Sequence, residues 1–430
     1  MPLHITPERI SEAEEGRVRA HERDLAHTVE RLSDLGVDTQ SVISAVATFS
    51  VAAPSWAVGT GGTRFGRFPR GGEPRTTEEK IDDVAALNAL TGANRTVSLH
   101  VPWDDPADPA ALRSHAESLG IGFDAMNSNT FQDNSSTTGN GEISYKFGSL
   151  SHPDPDARKR ALEHNLAVID LGVALGSTAL TVWLADGSNH PGQSSFRRQF
   201  DRTAEGLAQI HDHLPADWLM FTEHKPYEPA FYSSVNADWG TSLLLAQAAG
   251  ERARCLVDLG HHLPNTNIEQ VVSRLAMTGR LGGFHFNDSK YGDDDLTVGS
   301  IRPYQLFLII LELLEHGGGS LPDLAYMIDA SHNLKDPLED LIQSTDQIQQ
   351  SLALALLVDR EELTAAQEAC DPAAAAEVLQ RAFRSDVRPL VAEARRRNGA
   401  ALDPLSAFRR IGYRQHALEE RGSGGIATGL

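Results

Sequence analysis

The sequence predicts an α/β fold, a closed (β/α)8 TIM barrel with an N-terminal helix and a C-terminal helical extension. Eight short apolar segments recur along the chain, and stretches with helical periodicity, such as TTEEKIDDVAALNAL and NIEQVVSRLAMTG, lie between them. Strands that alternate with helices form right-handed βαβ units with a parallel sheet, and eight such units close into a barrel. A doubly wound sheet is the alternative, but no glycine-rich phosphate turn follows the first apolar segment.

The predicted strands share one pattern, a short apolar run that ends in polar or aromatic residues. They lie at residues 49–56, 96–103, 122–129, 179–186, 218–225, 254–262, 281–288 and 323–332. We expect an N-terminal helical segment over residues 1–45, the catalytic barrel over 46–345, a helical extension over 346–420 and a disordered tail over 421–430. Long connections at 59–74 and 130–155 follow the first and third strands, and loops of that length are usually functional.

Composition and charge exclude several classes of function. The 430 residues carry a formal net charge of −21, which argues against binding to nucleic acids or to anionic membrane surfaces. The two cysteines, Cys255 and Cys370, are far apart and outside any CxxC pattern, so we expect no disulfide framework. The N-terminus lacks the apolar region of a signal peptide, and no apolar run is long enough to span a bilayer. These features predict a cytoplasmic protein that acts on small molecules.

Acidic residues and histidines gather at the ends of the fifth to eighth predicted strands, which are neighbours on one rim of a barrel. They are Glu223 on the fifth strand, Asp258 and His261 on the sixth, His285, Asp293 and Asp295 on the seventh, and Asp329 and His332 on the eighth. Carboxylate and imidazole ligands without thiolates suit Mn²⁺, Mg²⁺ or Co²⁺ better than structural zinc. The acids are too many for one divalent ion, which favours two ions that share a bridging carboxylate.

Each of these residues also has an ordinary structural explanation. An acid at a strand end is more often a helix cap or an ion-pair partner than a metal ligand. The three consecutive acids after the seventh strand fit a solvated loop, and His285 alone fits a buried core histidine. Their occurrence together on four neighbouring strand ends is what predicts a metal site.

Three tryptophans, Trp56, Trp103 and Trp183, lie at strand ends among polar residues, and Phe65 lies in the long connection after the first strand. Packing in the core would explain each of them singly. Sugar-binding pockets, however, are walled by apolar faces that cover C–H groups and by polar edges that meet hydroxyls. The aromatic residues therefore favour a sugar pocket on the rim that carries the acids.

Several long motifs resemble bacterial L-rhamnose isomerases, in particular the broad-specificity branch that also acts on other aldoses. They include SLHVPWD, FDAMNSNTF, EHKPYEPAFYS, VDLGHHLPNTNIE, GGFHFNDSKYGDDDL and MIDASHN, and the resemblance covers essentially the whole chain. It implies a homotetramer of barrels with two divalent ions in each subunit, Mn²⁺ first and Co²⁺ or Mg²⁺ as alternatives. The spacing of the acids, His261 and Lys225 is also similar to that of xylose isomerase.

The resemblance implies a role for each site residue. The structural ion would be held by Glu223, Asp258, His285 and Asp329. The catalytic ion would be held by His261, Asp293 and Asp295, together with waters. Lys225 is assigned to orient or polarise O1 of the sugar, and His100 to assist ring opening. The substrate pocket would be shaped by Trp56, Phe65 and Trp183.

The predicted reaction is the interconversion of L-rhamnose and L-rhamnulose, with L-mannose, L-lyxose and the rare-sugar pair D-allose and D-psicose as further substrates. An aldose–ketose isomerase moves hydrogen from C2 to C1. Because nearly every acid identified is assigned as a metal ligand, a metal-assisted 1,2-hydride shift is favoured over an enediol route, which needs a carboxylate base.

Two other functions fit part of the pattern. A metal-dependent TIM-barrel hydrolase, such as a phosphoesterase, would use the same ligand types to activate water, but the sequence shows no basic phosphate cradle. A non-enzymatic sugar-binding barrel would have no need of Asp293 and Asp295 beside His261. The loop at 59–74 leaves two alternatives open, because Phe65 would reach either the site of its own subunit or that of a neighbour.

Overall fold

Ten short parallel strands form the barrel wall in the computed structural model, which describes residues 3–59, 71–134, 138–139, 141–227, 233–331 and 334–423. The strands are β1 Ala53–Pro54, β2 Thr96–Ser98, β3 His100–Val101, β4 Gly122–Phe123, β5 Met126–Ser128, β6 Ala179–Trp183, β7 Leu219–Glu223, β8 Ala253–Asp258, β9 Leu281–Phe286 and β10 Ala325–Ile328. β2 and β3 are two halves of one barrel strand, as are β4 and β5, so the segments occupy eight positions. Each position coincides with a predicted strand.

The first and last strands close the barrel. One sheet has the order β10-β9-β8-β7-β6-β5-β3 and the other the order β1-β2-β4. Ala52, directly before β1, donates its N–H to the Tyr326 carbonyl at 2.8 Å and accepts the Ile328 N–H at 3.0 Å. The predicted closed barrel is confirmed, and the carboxyl ends of the strands meet on one rim.

The N-terminal segment folds as three helices, Pro7–Ala13, Val18–Ser33 and Thr39–Thr48. The segment is helical as expected, but it is divided into three helices and does not form the one N-terminal helix of the predicted fold. The chain turns at Gly16, whose φ of 82° lies in the left-handed region that an L side chain disfavours.

In the part of the chain that the structure describes, eight helices alternate with the barrel strands and five more form the C-terminal extension. The barrel helices are Thr77–Thr91, Pro109–Ser118, Pro155–Leu175, Phe196–His213, Trp239–Ala249, Ile268–Met277, Pro303–His316 and Pro337–Leu356. The extension comprises Arg360–Glu368, Pro372–Phe383, Arg388–Arg397, Pro404–Ile411 and Tyr413–Arg421. Most of these helices begin at an Asp, Ser, Thr or Asn whose side chain accepts a first-turn N–H, as Asp336 does for Leu338.

The last helix of the extension packs against the C-terminal end of the long connection at 59–74. Arg414 and Arg421 both donate to the Gly72 carbonyl, at 2.9 and 3.2 Å, and the Gly72 N–H donates to the Gly422 carbonyl at 2.9 Å. A side chain at residue 72 would collide with the helix, because an added Cβ would lie 2.7 Å from the Leu418 nitrogen. The C-terminal extension therefore fixes one end of the 59–74 connection. Among the helices of the described residues, none combines the length and apolar composition that a membrane crossing requires.

Candidate metal centre

Four side chains at the ends of neighbouring strands converge on one point. Glu223 ends β7, Asp258 ends β8, His285 lies in β9 and Asp329 follows β10, and one ligand atom from each lies within 4.8 Å of the others. The His285 Nδ1 atom lies 3.1 Å from Glu223 Oε1, 3.7 Å from Asp258 Oδ2 and 3.6 Å from Asp329 Oδ2. Because each residue comes from a separate strand, the barrel itself holds the group together.

A second group shares one residue with the first. Asp258, His261 and Asp293 also offer ligand atoms within 4.8 Å of one another. His261 Nε2 lies 3.4 Å from Asp293 Oδ1, and His261 Nδ1 lies 3.2 Å from Glu223 Oε1. Asp258 belongs to both groups, which is the position of a carboxylate that bridges two ions.

Burial and mutual repulsion shift the protonation of these groups. Burial, only partly offset by the charge of His261, raises the pKa of Asp258 to about 7, and burial also raises the pKa of Asp329. Burial would raise the pKa of Glu223 too, but the charge and hydrogen bond of His285, together with the His261 imidazole 3.2 Å away, hold it below its usual range. Burial opposes the charged form of the imidazoles, yet the facing carboxylates raise the pKa of His285 to about 9 and that of His261 well above its usual value. The buried acids thus recruit positive charge.

The donor set fits divalent cations. Asp258 Oδ1 accepts hydrogen bonds from the Gly260 N–H at 2.7 Å and from Asn287 Nδ2 at 2.9 Å. Its Oδ2 atom, in contrast, is buried without a hydrogen-bond donor among the described residues. A buried carboxylate oxygen needs a partner, and a cation between the two groups would provide one. Carboxylate oxygens with single imidazoles suit Mn²⁺, Co²⁺ or Mg²⁺.

Lys225 lies at the edge of the second group. Its Nζ atom is 2.5 Å from Asp293 Oδ2 and 5.0 Å from the centre of the Trp183 ring. Side-chain alternation places Lys225 on the same face of the strand as Glu223, as the sequence predicts. The ammonium group of Lys225 therefore lies beside the acids and against the face of the Trp183 ring.

Aromatic rings form a wall on the side of β1 to β6. His100 stacks on Trp103 at 4.1 Å between ring centres and meets the ring of Trp56 edge-on at 5.4 Å. Phe131 contacts His100, Trp103 and Trp183 edge-on at 5.7, 5.9 and 4.5 Å. The sequence did not single out Phe131, although its position at the start of the long 130–155 connection is a signal that could have found it.

Two hydrogen bonds tie this wall to the acids and to the barrel. The indole Nε1–H of Trp56 donates to Asp329 Oδ1 at 2.8 Å. The His100 backbone N–H donates to Asp104 Oδ2 at 2.8 Å, and Lys80 pairs with Asp104 at 2.5 Å. Burial lowers the pKa of His100 to about 3, so its ring is neutral at physiological pH. Asp104 and Lys80 were not expected at the site, because neither lies at a strand end.

Comparison with known proteins places the chain in a family. Residues 86–333 match the family model described as "Xylose isomerase-like TIM barrel", and this stretch is more than half of the chain. The chain belongs to the xylose isomerase-like TIM-barrel family. The resemblance to sugar isomerases seen in the sequence is therefore confirmed at the level of the family.

Two relatives with high identity to the chain are named as probable sugar isomerases. A "probable sugar isomerase" of Mesorhizobium japonicum is 53% identical over 412 residues, which cover 94% of this chain and 95% of the relative. Another, of Rhizobium meliloti, is 50% identical over 433 residues, which cover 99% and 100%. The xylose isomerase of Thermus thermophilus is 27% identical over 285 residues, 61% of this chain and 68% of that protein. A solved L-ribulose 3-epimerase matches with a TM-score of 0.52 at 14% identity, covering 72% of this chain and 96% of its own, and shows the fold alone.

The remaining predicted residues of this xylose isomerase-like barrel divide into two sets. Phe65 and His332 lie outside the described residues. Asp295 is buried but belongs to neither ligand group; its Oδ2 accepts from Ser331 Oγ at 3.2 Å, and its φ is 47°. Its assignment to the second ion remains a prediction.

The other acids after β9 have structural roles. Asp288 Oδ2 accepts the Ile301 and Arg302 N–H groups at 2.7 and 2.8 Å. Asp294 accepts three consecutive N–H groups, those of residues 290–292, at 2.6 to 3.2 Å. Asp288 and Asp294 therefore stabilise the loop through backbone hydrogen bonds. Of the four acids between residues 288 and 295, Asp293 is the one that lies in a ligand group.

Proposed function

We propose that this xylose isomerase-like barrel is an aldose–ketose isomerase that interconverts L-rhamnose and L-rhamnulose, with L-mannose, L-lyxose and D-allose as further substrates. It would work as a cytoplasmic homotetramer with two divalent ions in each subunit, Mn²⁺ first. The observation that carries the proposal is the sharing of Asp258 by two ligand groups, next to Lys225 and an aromatic wall. Two relatives named as probable sugar isomerases support the reaction class, and the sequence motifs support the choice of sugar.

The reaction exchanges a hydroxyl and a carbonyl on adjacent carbons. The C2 hydrogen moves with its electron pair to C1, the C2 hydroxyl loses its proton and becomes the carbonyl, and O1 gains a proton and becomes the hydroxyl. Divalent ions bound at the two groups supply the polarisation of O1 and O2 that this shift needs. The acids of the two groups would then be occupied as ligands. Asp295, which belongs to neither group, is assigned to the second ion in this proposal, and with that assignment the hydride shift is favoured over a carboxylate base at C2.

The other site residues position the sugar and exclude water. Lys225 carries a positive charge at the edge of the cluster and can donate a hydrogen bond to O1 as negative charge develops there. The neutral ring of His100, whose Nδ1 has no hydrogen-bond partner in the described part of the chain, can accept a hydrogen bond from a sugar hydroxyl during ring opening. Trp183 and Phe131 present apolar faces to the C–H groups of the sugar.

A substrate panel with an isotopic label tests the proposal. The protein is stripped with chelator, reloaded with Mn²⁺ and incubated with L-rhamnose, L-mannose, L-lyxose and D-allose, and the ketose product is measured. We expect L-rhamnulose formation with a C2-deuterium label retained on C1. Washout of the label into water would replace the hydride shift by an enediol route. Release of phosphate from phosphate esters, with no ketose formed, would contradict the isomerase proposal and support the metal-dependent hydrolase.

Variants at Lys225 separate sugar chemistry from metal binding. Lys225→Met removes the proposed O1 donor but no ligand, so turnover should fall by at least about 100-fold, the usual cost of a lost electrostatic group, while two ions still bind. Lys290→Met, in an exposed loop, is the matched control and should keep full activity. Loss of metal stoichiometry in Lys225→Met would make this residue a structural element of the centre.

Two carboxylate variants test the division of the ligands. Asp329 lies in the four-residue group. Asp329→Asn should therefore lower the affinity for the ion bound by that group, called the first ion, and should lower thermal stability together with activity. Asp295→Asn should abolish turnover and leave the fold intact. Elemental analysis and thermal unfolding of both variants check this, and equal losses of stability would contradict separate roles.

A further inference from the structure

The carboxylate of Asp186 attaches the long connection at 130–155 to the barrel. Asp186 lies just after β6 and is 2% exposed. Its Oδ2 atom accepts the backbone N–H groups of Ser149 and Ser151 at 2.7 and 2.9 Å, and its Oδ1 atom accepts the Ser149 hydroxyl at 2.8 Å. Both serines are fully buried, and hydrogen bonds to an ionised carboxylate are stronger than those between neutral groups. One buried acid therefore holds this loop against the end of a strand.

The surrounding backbone is fitted to this contact. Gly148 comes directly before Ser149, and an added Cβ there would collide with Ser151 Oγ and lie 3.0 Å from Asp186 Oδ2. The Asp186 carbonyl in turn accepts the Val235 N–H at 2.6 Å. The backbone of Asp186 is thus hydrogen-bonded to the connection after β7, while its side chain is hydrogen-bonded to the connection after β5.

The attachment continues through Thr130 to the aromatic wall. The Thr130 hydroxyl, which is buried, donates to Ser149 Oγ at 3.1 Å. Phe131 is the next residue, and its ring meets the ring of Trp183 edge-on at 4.5 Å between centres. Trp183 ends β6, three positions before Asp186. The hydrogen bonds that place Phe131 against Trp183 therefore start from the same strand end that carries Trp183.

We propose that Asp186 is a positioning residue for the sugar pocket, and that its hydrogen bonds to Ser149 and Ser151 hold Phe131 against Trp183 before a sugar binds. A sugar that meets a preformed wall does not have to order the connection when it binds, so its affinity is higher. Asp186 belongs to neither ligand group of the described residues, which separates this role from metal binding.

The steady-state kinetics of Asp186 variants test this role, which rests on the proposed function. Asp186→Ala removes all three acceptor contacts. The KM for L-rhamnose should rise by about 10- to 100-fold and kcat should change by less than about threefold, because the lost binding is shared by ground state and transition state. Asp186→Asn keeps an oxygen for the two backbone N–H groups and should recover most of the affinity. Calorimetric titration should give equal Mn²⁺ affinities for all three proteins, and a fall of kcat at unchanged KM would contradict the positioning role.

Two threonine variants give a test that does not depend on the folding of Asp186→Ala. Thr130→Val removes the hydrogen bond to Ser149 and keeps a branched side chain of similar volume. Thr203→Val is the matched control, because Thr203 is also buried and its hydroxyl donates to the Gln199 carbonyl of its own helix at 2.9 Å. Thermal unfolding should show similar losses of stability in both, whereas the KM for L-rhamnose should rise by about 3- to 10-fold in Thr130→Val alone. Equal KM values for the two variants would overturn the inference.

Hydrogen exchange in the unaltered protein tests the attachment without any sugar. The amides of Ser149 and Ser151 should exchange at least about 100-fold more slowly than the amide of Lys146 in the same connection, whose N–H donates to the Ser144 hydroxyl in an exposed hydrogen bond at 3.3 Å. Equally fast exchange of the three amides would overturn the inference. Slow exchange at Ser149 and Ser151 in a protein that forms no ketose from any sugar would instead overturn the isomerase and leave the attachment by Asp186 standing.

Discussion

Replacement of Trp56 by phenylalanine isolates the hydrogen bond that joins the aromatic wall to the ligand cluster. The indole Nε1–H of Trp56 lies 2.8 Å from Asp329 Oδ1, and the side chain is buried. Trp56→Phe retains an aromatic face toward the pocket and removes this one donor. Trp103→Phe is its matched control, because Trp103 stacks in the same wall while its Nε1 is buried without a partner in the described residues.

The expected magnitude follows from the nature of the bond. A hydrogen bond to a charged group contributes about 1.5 to 3 kcal/mol to stability. Both variants lose similar ring volume, so the difference between their free energies of unfolding should fall in that range, with Trp56→Phe the less stable. The bond also orients a carboxylate of the first ligand group, and the affinity for the first ion should fall by about 10- to 100-fold in Trp56→Phe alone.

Two measurements on each variant check these numbers. Urea unfolding of the metal-free proteins gives the difference in stability, and calorimetric titration with Mn²⁺ gives the affinity of the first ion. If Trp56→Phe and Trp103→Phe lose stability and affinity equally, the indole N–H does not orient Asp329 and the wall acts through packing alone.

Two further predictions concern the C-terminal extension. Arg421→Ala removes a buried partner of Asp83, 2.8 Å away, and should lower the free energy of unfolding by about 3 to 5 kcal/mol; Arg388→Ala, from an exposed pair, should cost less than about 1 kcal/mol by the same urea assay. Hydrogen bonds, first that from Arg396, lower the pKa of Glu393 to about 2. The stabilisation from these hydrogen bonds is complete above the unfolded-state pKa near 4.5 and is lost as the pH falls toward 2. Glu393→Gln should therefore reduce the dependence of the free energy of unfolding on pH between pH 5 and 2. An unchanged dependence would refute this prediction.

The barrel was predictable because its signal is local. Each apolar run between amphipathic stretches became one strand position, and the acids at neighbouring strand ends converged because parallel strands bring their carboxyl ends to one rim. The breaks within two of the strands were not predictable. Each of these two stretches was predicted as one strand, and the change of register between them depends on how the neighbouring strand pairs: Phe123 pairs with Val97, but Asn127 pairs with His100.

The candidate site was predictable to the extent that its residues lie on strands. Asp258 and His285 are placed by β8 and β9, whereas Phe131 and Asp104 reach the site through loop conformations that no periodicity encodes. Asp288 and Asp294 show the converse. Both are carboxylates, as metal ligands often are, but short acidic side chains also accept hydrogen bonds from nearby backbone N–H groups. In this loop both carboxylates are hydrogen-bonded to the backbone instead.

The closure of the barrel has a consequence for the order in which the chain folds. Trp56 and Asp329 are 273 positions apart, and the contact between the first and last strands joins the most distant parts of the sheet. The entropy of closing so long a loop delays this contact, so the seam should be the last part of the sheet to form and the first to open. A cation held by Asp329, which also accepts the hydrogen bond from Trp56, would bind only the closed barrel. It would therefore slow the separation of the first and last strands. Native-state hydrogen exchange at the Ala52 and Ile328 amides should therefore report ion occupancy before any other part of the sheet does.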